Sequence, residues 1–248
     1  MTWLRLLRGE IRKLTTTKLP WGFLAVLVLI AGIDAAVVAW GTDMDGSKGF
    51  IATAADQQSL MAFAFNAMLG TGLFGAIAVA REYGHNTVVP TYLTSPRRPR
   101  AVLAQLTAVL LAGAVLGLLG QALITAGVAL ALPSTEYGFL VSAGGLTQLL
   151  AATTLAGAIG AVLGAGLGAI IRNLGGAVTA VVLVLFMIPP LAVQLLSDAA
   201  SWIPPTLGAV ISGVSTDINP WAALAALLAY GLVPAAVGLA AVQRRDVV

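Results

Sequence analysis

Long apolar runs and short polar segments alternate along this chain, and the apolar runs decide its fold class. A helix needs about 20 consecutive apolar residues to cross the hydrocarbon core of a bilayer. Six runs meet that requirement, so the pattern predicts an all-α integral membrane protein with six transmembrane helices. The spans are placed at about residues 19–40, 60–80, 101–132, 146–171, 174–196 and 221–242. The third is longer than a bilayer requires, and we expect that helix to tilt or to protrude.

The polar segments contain nearly all of the basic residues. Twelve of the thirteen Lys and Arg residues lie in four patches, at 5–18, 81–100, 172 and 244–245, and only Lys48 lies elsewhere. Lys and Arg accumulate in the cytoplasmic loops of membrane proteins. The patches therefore predict a multi-pass protein of the cell membrane with both termini in the cytoplasm. Arg172 and the two C-terminal arginines need no other explanation than topology.

Residues 1–18 predict a helix lying in the membrane surface. Apolar side chains recur there at helical spacing, and the arginines and Lys13 fall largely on the other side. The apolar stripe comprises Trp3, Leu7, Ile11 and Leu14. A loose tail carrying topogenic charges is the alternative, and this stripe argues against it.

The segment between the fifth and sixth spans is ambiguous, because residues 199–216 are uncharged. Pro204 and Pro205, with Gly208 and Gly213, weaken a continuous helix. A seventh span would also move the C-terminal arginines outside. We expect short helices on the outward side that dip into the bilayer.

Composition excludes several classes of protein. The 248 residues are 59% hydrophobic and 9% charged, with a mean hydropathy of +0.96, whereas soluble domains are about 25% charged. The net charge of +3 and the absence of a recognition module argue against nucleic-acid binding. The chain has no cysteine and one histidine, which excludes disulfides, thiolate metal sites and multi-histidine metal sites. No linker divides residues 1–248, so a single domain is expected.

Catalytic chemistry is not expected on this chain. The single histidine, His85, falls in a loop, and Asp34 is the one carboxylate within a predicted span. The other spans lack the ionisable residues that ion-coupled transporters keep near the bilayer midplane. Polar side chains within the spans either bond between helices or line a substrate path. The candidates for a path lining are Asn66, Gln121, Thr125 and Thr179.

Glycines recur at four-residue spacing in two spans and let helices approach closely. They include Gly157, Gly160, Gly164 and Gly168 in the fourth span and Gly113 and Gly117 in the third. Packing within one bundle is the simpler interpretation, and a dimer seam is the alternative.

The loop at 81–100 contains more than topology requires. Its arginines are enough to set the orientation of the chain in the membrane. A compact run at the start of the loop, before the last three arginines, is not needed for that purpose. We expect this run to dock on another protein, and a solvated loop that carries only topogenic charges is the alternative. The run comprises Arg81, Glu82, Tyr83, Gly84, His85 and Thr87.

Two segments, LLRGEIRKLTTTKLPW and REYGHNTVVPTYLTSPRRPRAVLAQL, resemble the permease subunit of type-2 ABC exporters, as found in many actinobacterial efflux systems. The resemblance implies an interfacial helix at 1–18 and a coupling element around 82–87 that touches an ATPase. It also implies an extracellular element at 197–220. The residues so assigned are Trp3, Glu10, Arg12 and Lys13 in the interfacial helix and Trp202, Pro204 and Pro205 in the extracellular gate.

Such a chain would move a drug, lipid or peptide outward together with two ATP-binding subunits and a second permease, identical or paralogous. The sequence has no G-x-x-x-x-G-K-[ST] motif, so ATP and Mg²⁺ are expected on the partner subunit. Membrane lipids are the other expected partner. The alternatives are an ATP-independent transporter or channel, or an immunity or scaffold protein that sequesters a ligand.

Overall fold

The computed structural model describes residues 3–84 and 98–244, and every regular element in those ranges is a helix. Within them, six helices are long and apolar enough to span a membrane, which confirms the predicted number. They are Leu19–Trp40, Ala54–Gly84, Pro99–Ser134, Ala143–Ile171, Leu174–Leu195 and Pro220–Gln243.

The α-helices are numbered in chain order. They are α1 (Trp3–Thr15), α2 (Leu19–Trp40), α3 (Ala54–Leu60), α4 (Ala64–Gly84), α5 (Arg98–Ala131), α6 (Ala143–Ile171), α7 (Leu174–Val182), α8 (Ile188–Leu195), α9 (Pro204–Ile211) and α10 (Pro220–Arg244). We call the end of the bundle with α1, the C-terminus of α4 and the α6–α7 turn the basic end. The opposite end, with residues 41–63, 132–142 and 196–219, is the far end.

Helix α6 lies at the centre of the bundle and packs against α4, α5 and α10. Its buried face consists largely of glycine and alanine, so the neighbouring backbones come very close. A Cβ on Gly157 would lie 2.5 Å from the carbonyl oxygen of Gly113, and one on Gly164 would overlap the carbonyl oxygen of Gly72. The regularly spaced glycines of α6 are therefore packed within the chain, as the simpler interpretation predicted.

The second span differs from its predicted range of 60–80. It begins earlier, with α3, breaks at residues 61–63, and continues as α4 to Gly84. The capping box of Thr53 and Asp56 starts α3 inside a segment that reads as a polar loop. At the other end, Arg81–Gly84 form the last turn of α4 and not a loop.

The third span also extends beyond its predicted start at residue 101, since α5 begins at Arg98. Its 34 residues correspond to a length of about 51 Å. That exceeds the hydrocarbon core of about 30 Å, so α5 can only be accommodated by tilting or by projecting out of the membrane.

The fifth span is not a regular helix. Helices α7 and α8 are joined by a π-helical turn, Leu183–Met187, just before Pro189 and Pro190. Proline lacks an N–H, and its ring clashes with the carbonyl four residues earlier. Widening the turn relieves that clash, which explains why the π segment lies directly before the two prolines.

The uncharged segment after the fifth span forms two short helices and no seventh span. A 3₁₀ helix, Ser197–Trp202, is followed by α9, whose Leu207 and Val210 are buried in a core cluster with residues of α4, α6 and α10. Gly213, with φ of +72°, ends this helical stretch in the left-handed conformation that glycine tolerates best.

Candidate functional site: a charged junction at the basic end

An ion-paired cluster joins α1 to the last turn of α4. The Lys13 Nζ donates to Glu10 Oε1 at 2.8 Å and to Glu82 Oε1 at 3.3 Å. Glu10 is 7% exposed although α1 is short and rich in basic residues. Residues 69 positions apart in the chain are thus held together by one ammonium group between two carboxylates.

The two carboxylates change the acidity of Lys13. Burial alone would lower the pKa of its ammonium group, but the hydrogen bond to Glu10 and the charges of Glu82 and Glu10 outweigh burial and raise the pKa above its ordinary value. Lys13 is therefore fully charged at neutral pH.

A second contact ties the same turn of α4 to the α6–α7 turn. The Arg172 guanidinium lies over the ring of Tyr83, 5.1 Å from its centroid. Arg172 adopts a left-handed conformation with φ of 57° and ends α6, while the Asn173 side chain accepts from Gly176 N–H and begins α7. The Nε and Nη2 atoms of Arg172 are buried and have no hydrogen-bond partner within the described residues, so the aromatic face is its main described contact.

Apolar packing supports this junction. Leu14 of α1 and Tyr83 of α4 both pack against a core cluster that includes Phe74, Val79 and Val102. Helix α1 itself packs mainly against α5. A displacement of the α4 terminus would therefore move charges on α1, the start of α5 and the turn after α6 together. Here "the junction" denotes Glu10, Lys13, Glu82, Tyr83 and Arg172.

The structure includes part of the predicted coupling run. Arg81, Glu82, Tyr83 and Gly84 form one helical turn, whereas His85 and Thr87 lie outside the described residues. Of the residues assigned to the interfacial helix, Trp3 and Arg12 are exposed. The burial of Glu10 and the contact of Arg172 were not expected from sequence, because each depends on neighbours distant in the chain.

The four candidate path-lining residues occupy different environments. Gln121 is fully buried: its amide N–H group donates to the Met61 carbonyl at 3.0 Å, and its oxygen accepts from Thr153 at 2.7 Å. Thr125 is a further acceptor for Gln121 at 3.3 Å, while Asn66 and Thr179 are exposed. In this conformation Gln121 connects α5 to α6, Thr125 bonds within α5, and Asn66 and Thr179 lie on the bundle surface.

The far end has its own hydrogen-bonded network of polar side chains. Part of it lies in a segment that the sequence predicted to be a loop. Gln57 is fully buried and donates to the carbonyls of Ile51 and Gly138, and Gln58 donates to the Ser212 carbonyl at 2.9 Å. Of the predicted gate residues, Trp202 is half exposed, Pro204 is buried and Pro205 is intermediate. The Tyr230 hydroxyl donates to the Trp202 carbonyl at 3.3 Å.

Lys48, the basic residue outside the four patches, also has a structural explanation at the far end. Its ammonium group donates to the carbonyls of Val38 and Ala39, at 3.0 and 2.6 Å. These are among the last carbonyls of α2, which no helical N–H can reach. Lys48 thus caps α2, which explains a basic residue outside the four patches.

No group of His, Cys, Asp or Glu side chains that could hold a metal ion is found among residues 3–84 and 98–244. No family model and no curated protein matches this chain. The geometry of the junction is therefore the main structural guide to function.

Proposed function

We propose that this chain is the membrane-spanning subunit of an ATP-driven exporter of the type-2 ABC class. It would move a hydrophobic or amphiphilic substrate out of the cytoplasm, and a separate ATPase subunit would supply the energy. The observation that carries the proposal is the Glu10–Lys13–Glu82 link. It connects the two segments whose sequences resemble the interfacial and coupling elements of that class.

The junction has the properties that a mechanical relay requires. The last turn of α4 lies where the polar run begins, and it contacts α1 through Lys13 and the α6–α7 turn through Arg172. Helix α4 also packs along α6 with backbones in close contact. A force applied to the polar run would reach α1, α4 and α6 together, and closely packed helices transmit displacement as rigid bodies.

In this proposal the basic end faces the cytoplasm of a cell membrane, as the distribution of Lys and Arg favours. The ATPase, present in two copies, docks around residues 81–87. A second permease chain, identical or paralogous, completes the pathway. The exposed face of α2, where Ala31 and Val38 are the buried residues, offers a surface for such a partner or for lipid. The short helices at 197–211 would cap the pathway outside.

Exchange of the paired charges tests the role of the junction. Lys13→Glu and Glu82→Lys should each reduce substrate-stimulated ATP hydrolysis by the purified complex, because each leaves like charges adjacent. The double exchange restores opposite charges at positions 13 and 82 but leaves a carboxylate at 13 beside Glu10, so hydrolysis should recover in part. The control is Glu136→Lys, because Glu136 is an exposed carboxylate at the far end. Equal activity of both single variants and the wild type would refute the relay.

A further inference from the structure

An apolar cavity of about 330 Å³ lies where α1 and the start of α2 meet α5. Its walls include Ile11 and Leu14 of α1, Trp21 and Leu24 of α2, and Leu111 and Val115 of α5. Trp21, Leu111 and Val115 are exposed, so the cavity opens on the outer surface of the bundle. The walls are almost wholly hydrocarbon, and the Thr15 hydroxyl is already bonded to the Arg12 carbonyl at 3.2 Å.

A second groove lies beside this cavity, and its walls are mostly hydrocarbon, with two arginines among the lining residues. Its described lining is Leu4, Arg5, Leu7, Arg8 and Ile11, so the two spaces share Ile11. Arg5 and Arg8 are exposed and form no ion pair with any residue in the described ranges. An apolar cavity and two unpaired guanidinium groups thus lie side by side on one amphipathic helix.

We propose that the cavity and groove together bind one anionic glycerophospholipid of the leaflet on the α1 side. An acyl chain occupies the cavity, and Arg5 and Arg8 bind the phosphate. Guanidinium groups suit this role because their paired N–H donors match phosphate oxygens. An amphipathic helix with apolar and basic faces lies at headgroup depth, where a lipid presents both parts at once. The site is independent of the proposed export function.

The charges of Arg5 and Arg8 select the class of lipid. Each basic residue near an anionic surface contributes about 1 kcal/mol, so two arginines give a preference of roughly thirtyfold for anionic over zwitterionic lipid. Lys13 is not part of this selection, because its ammonium group is paired with Glu10 and Glu82.

Quenching of Trp21 fluorescence by brominated acyl chains tests the site directly. The full chain retains Trp21 alone, with Trp3, Trp40, Trp202 and Trp221 changed to Phe, in phosphatidylcholine vesicles containing a minor fraction of phosphatidylglycerol. Bromine on phosphatidylglycerol should quench Trp21 several-fold more than the same fraction of bromine on phosphatidylcholine. A chain retaining Trp221, exposed at the far end, should show no such difference. Equal quenching of Trp21 by both labels would overturn the proposal.

Two variants separate the parts of the site. Arg5→Gln with Arg8→Gln should abolish the preference for the anionic lipid, and Val115→Phe, which narrows the cavity, should reduce quenching by the labelled chain. An excess of soluble glycerol phosphate should leave quenching unchanged. If that soluble anion removes the preference, or if the arginine variant keeps it, the site does not bind lipid as proposed.

Discussion

Replacing Gly164 with alanine measures how much the close approach of α4 and α6 matters to stability. A Cβ at this position would overlap the Gly72 carbonyl oxygen and lie 2.9 Å from the Ala76 backbone nitrogen. Both obstacles are backbone atoms, so no side chain can rotate away and the helices must separate. Overpacking of this kind costs about 1–3 kcal/mol.

Gly32→Ala in α2 is the matched control, since nothing lies within 4 Å of a Cβ built there. Both substitutions gain up to about 1 kcal/mol of helix propensity. The difference in the free energy of unfolding between the two variants therefore measures the cost of overpacking. It corresponds to a melting temperature lower by about 2–12 °C for Gly164→Ala than for Gly32→Ala, by the scaling for domains of 150–250 residues.

Thermal unfolding of both variants in one detergent, followed by loss of the monodisperse species, provides the assay. The reasoning fails if Gly164→Ala unfolds at the same temperature as Gly32→Ala or above it. That result would mean that α4 and α6 are not in backbone contact, and the rigid relay from the junction through these helices would fail with it.

Three further predictions concern polar contacts. Gln121→Leu should lower the free energy of unfolding by about 1–2 kcal/mol in a detergent titration. The substitution leaves the buried Thr153 hydroxyl and the Met61 carbonyl without their described partner. An unchanged free energy of unfolding would place Gln121 outside the folded core. Lys48→Met should cost about 1 kcal/mol in the same titration, since two terminal carbonyls of α2 lose a charged donor, and a stability equal to wild type would refute the cap. The raised pKa of Lys13 predicts stability that is complete below the ordinary lysine pKa of about 10.4 and is lost as pH rises through the higher folded value. Unfolding temperature measured against pH should therefore fall more steeply at alkaline pH for wild type than for Lys13→Gln, and parallel curves would contradict the link.

The spans could be predicted because hydrophobic length is a local property of the chain. The effects of proline are local too. Pro20 begins α2, and the prolines in residues 197–216 interrupt a helix, through their own backbone geometry, so both effects can be predicted from sequence alone. The start of the second span at α3 could not be predicted, because a polar residue such as Gln57 is typical of a loop. Only the fold shows that its side chain is bonded to the carbonyls of Ile51 and Gly138.

The candidate site was predictable in outline only. The residue types at 81–84 stood out by composition, but the burial of Glu10 depends on Lys13 and Glu82 meeting across 69 positions. The contact between Arg172 and Tyr83 likewise joins two separate turns. Periodicity also does not distinguish a polar residue facing a path from one bonded to a neighbouring helix, as Gln121 illustrates.

The composition of the complex purified from the cell's own membranes tests the central claim most directly. The full chain, tagged and extracted in mild detergent, should elute with a P-loop ATPase, at one ATPase per chain if the second permease is identical and at two if it is paralogous. The complex should hydrolyse Mg-ATP in a vanadate-sensitive manner. A chain that elutes folded, without any ATPase, and moves an amphiphilic dye across vesicle membranes without ATP would contradict the account.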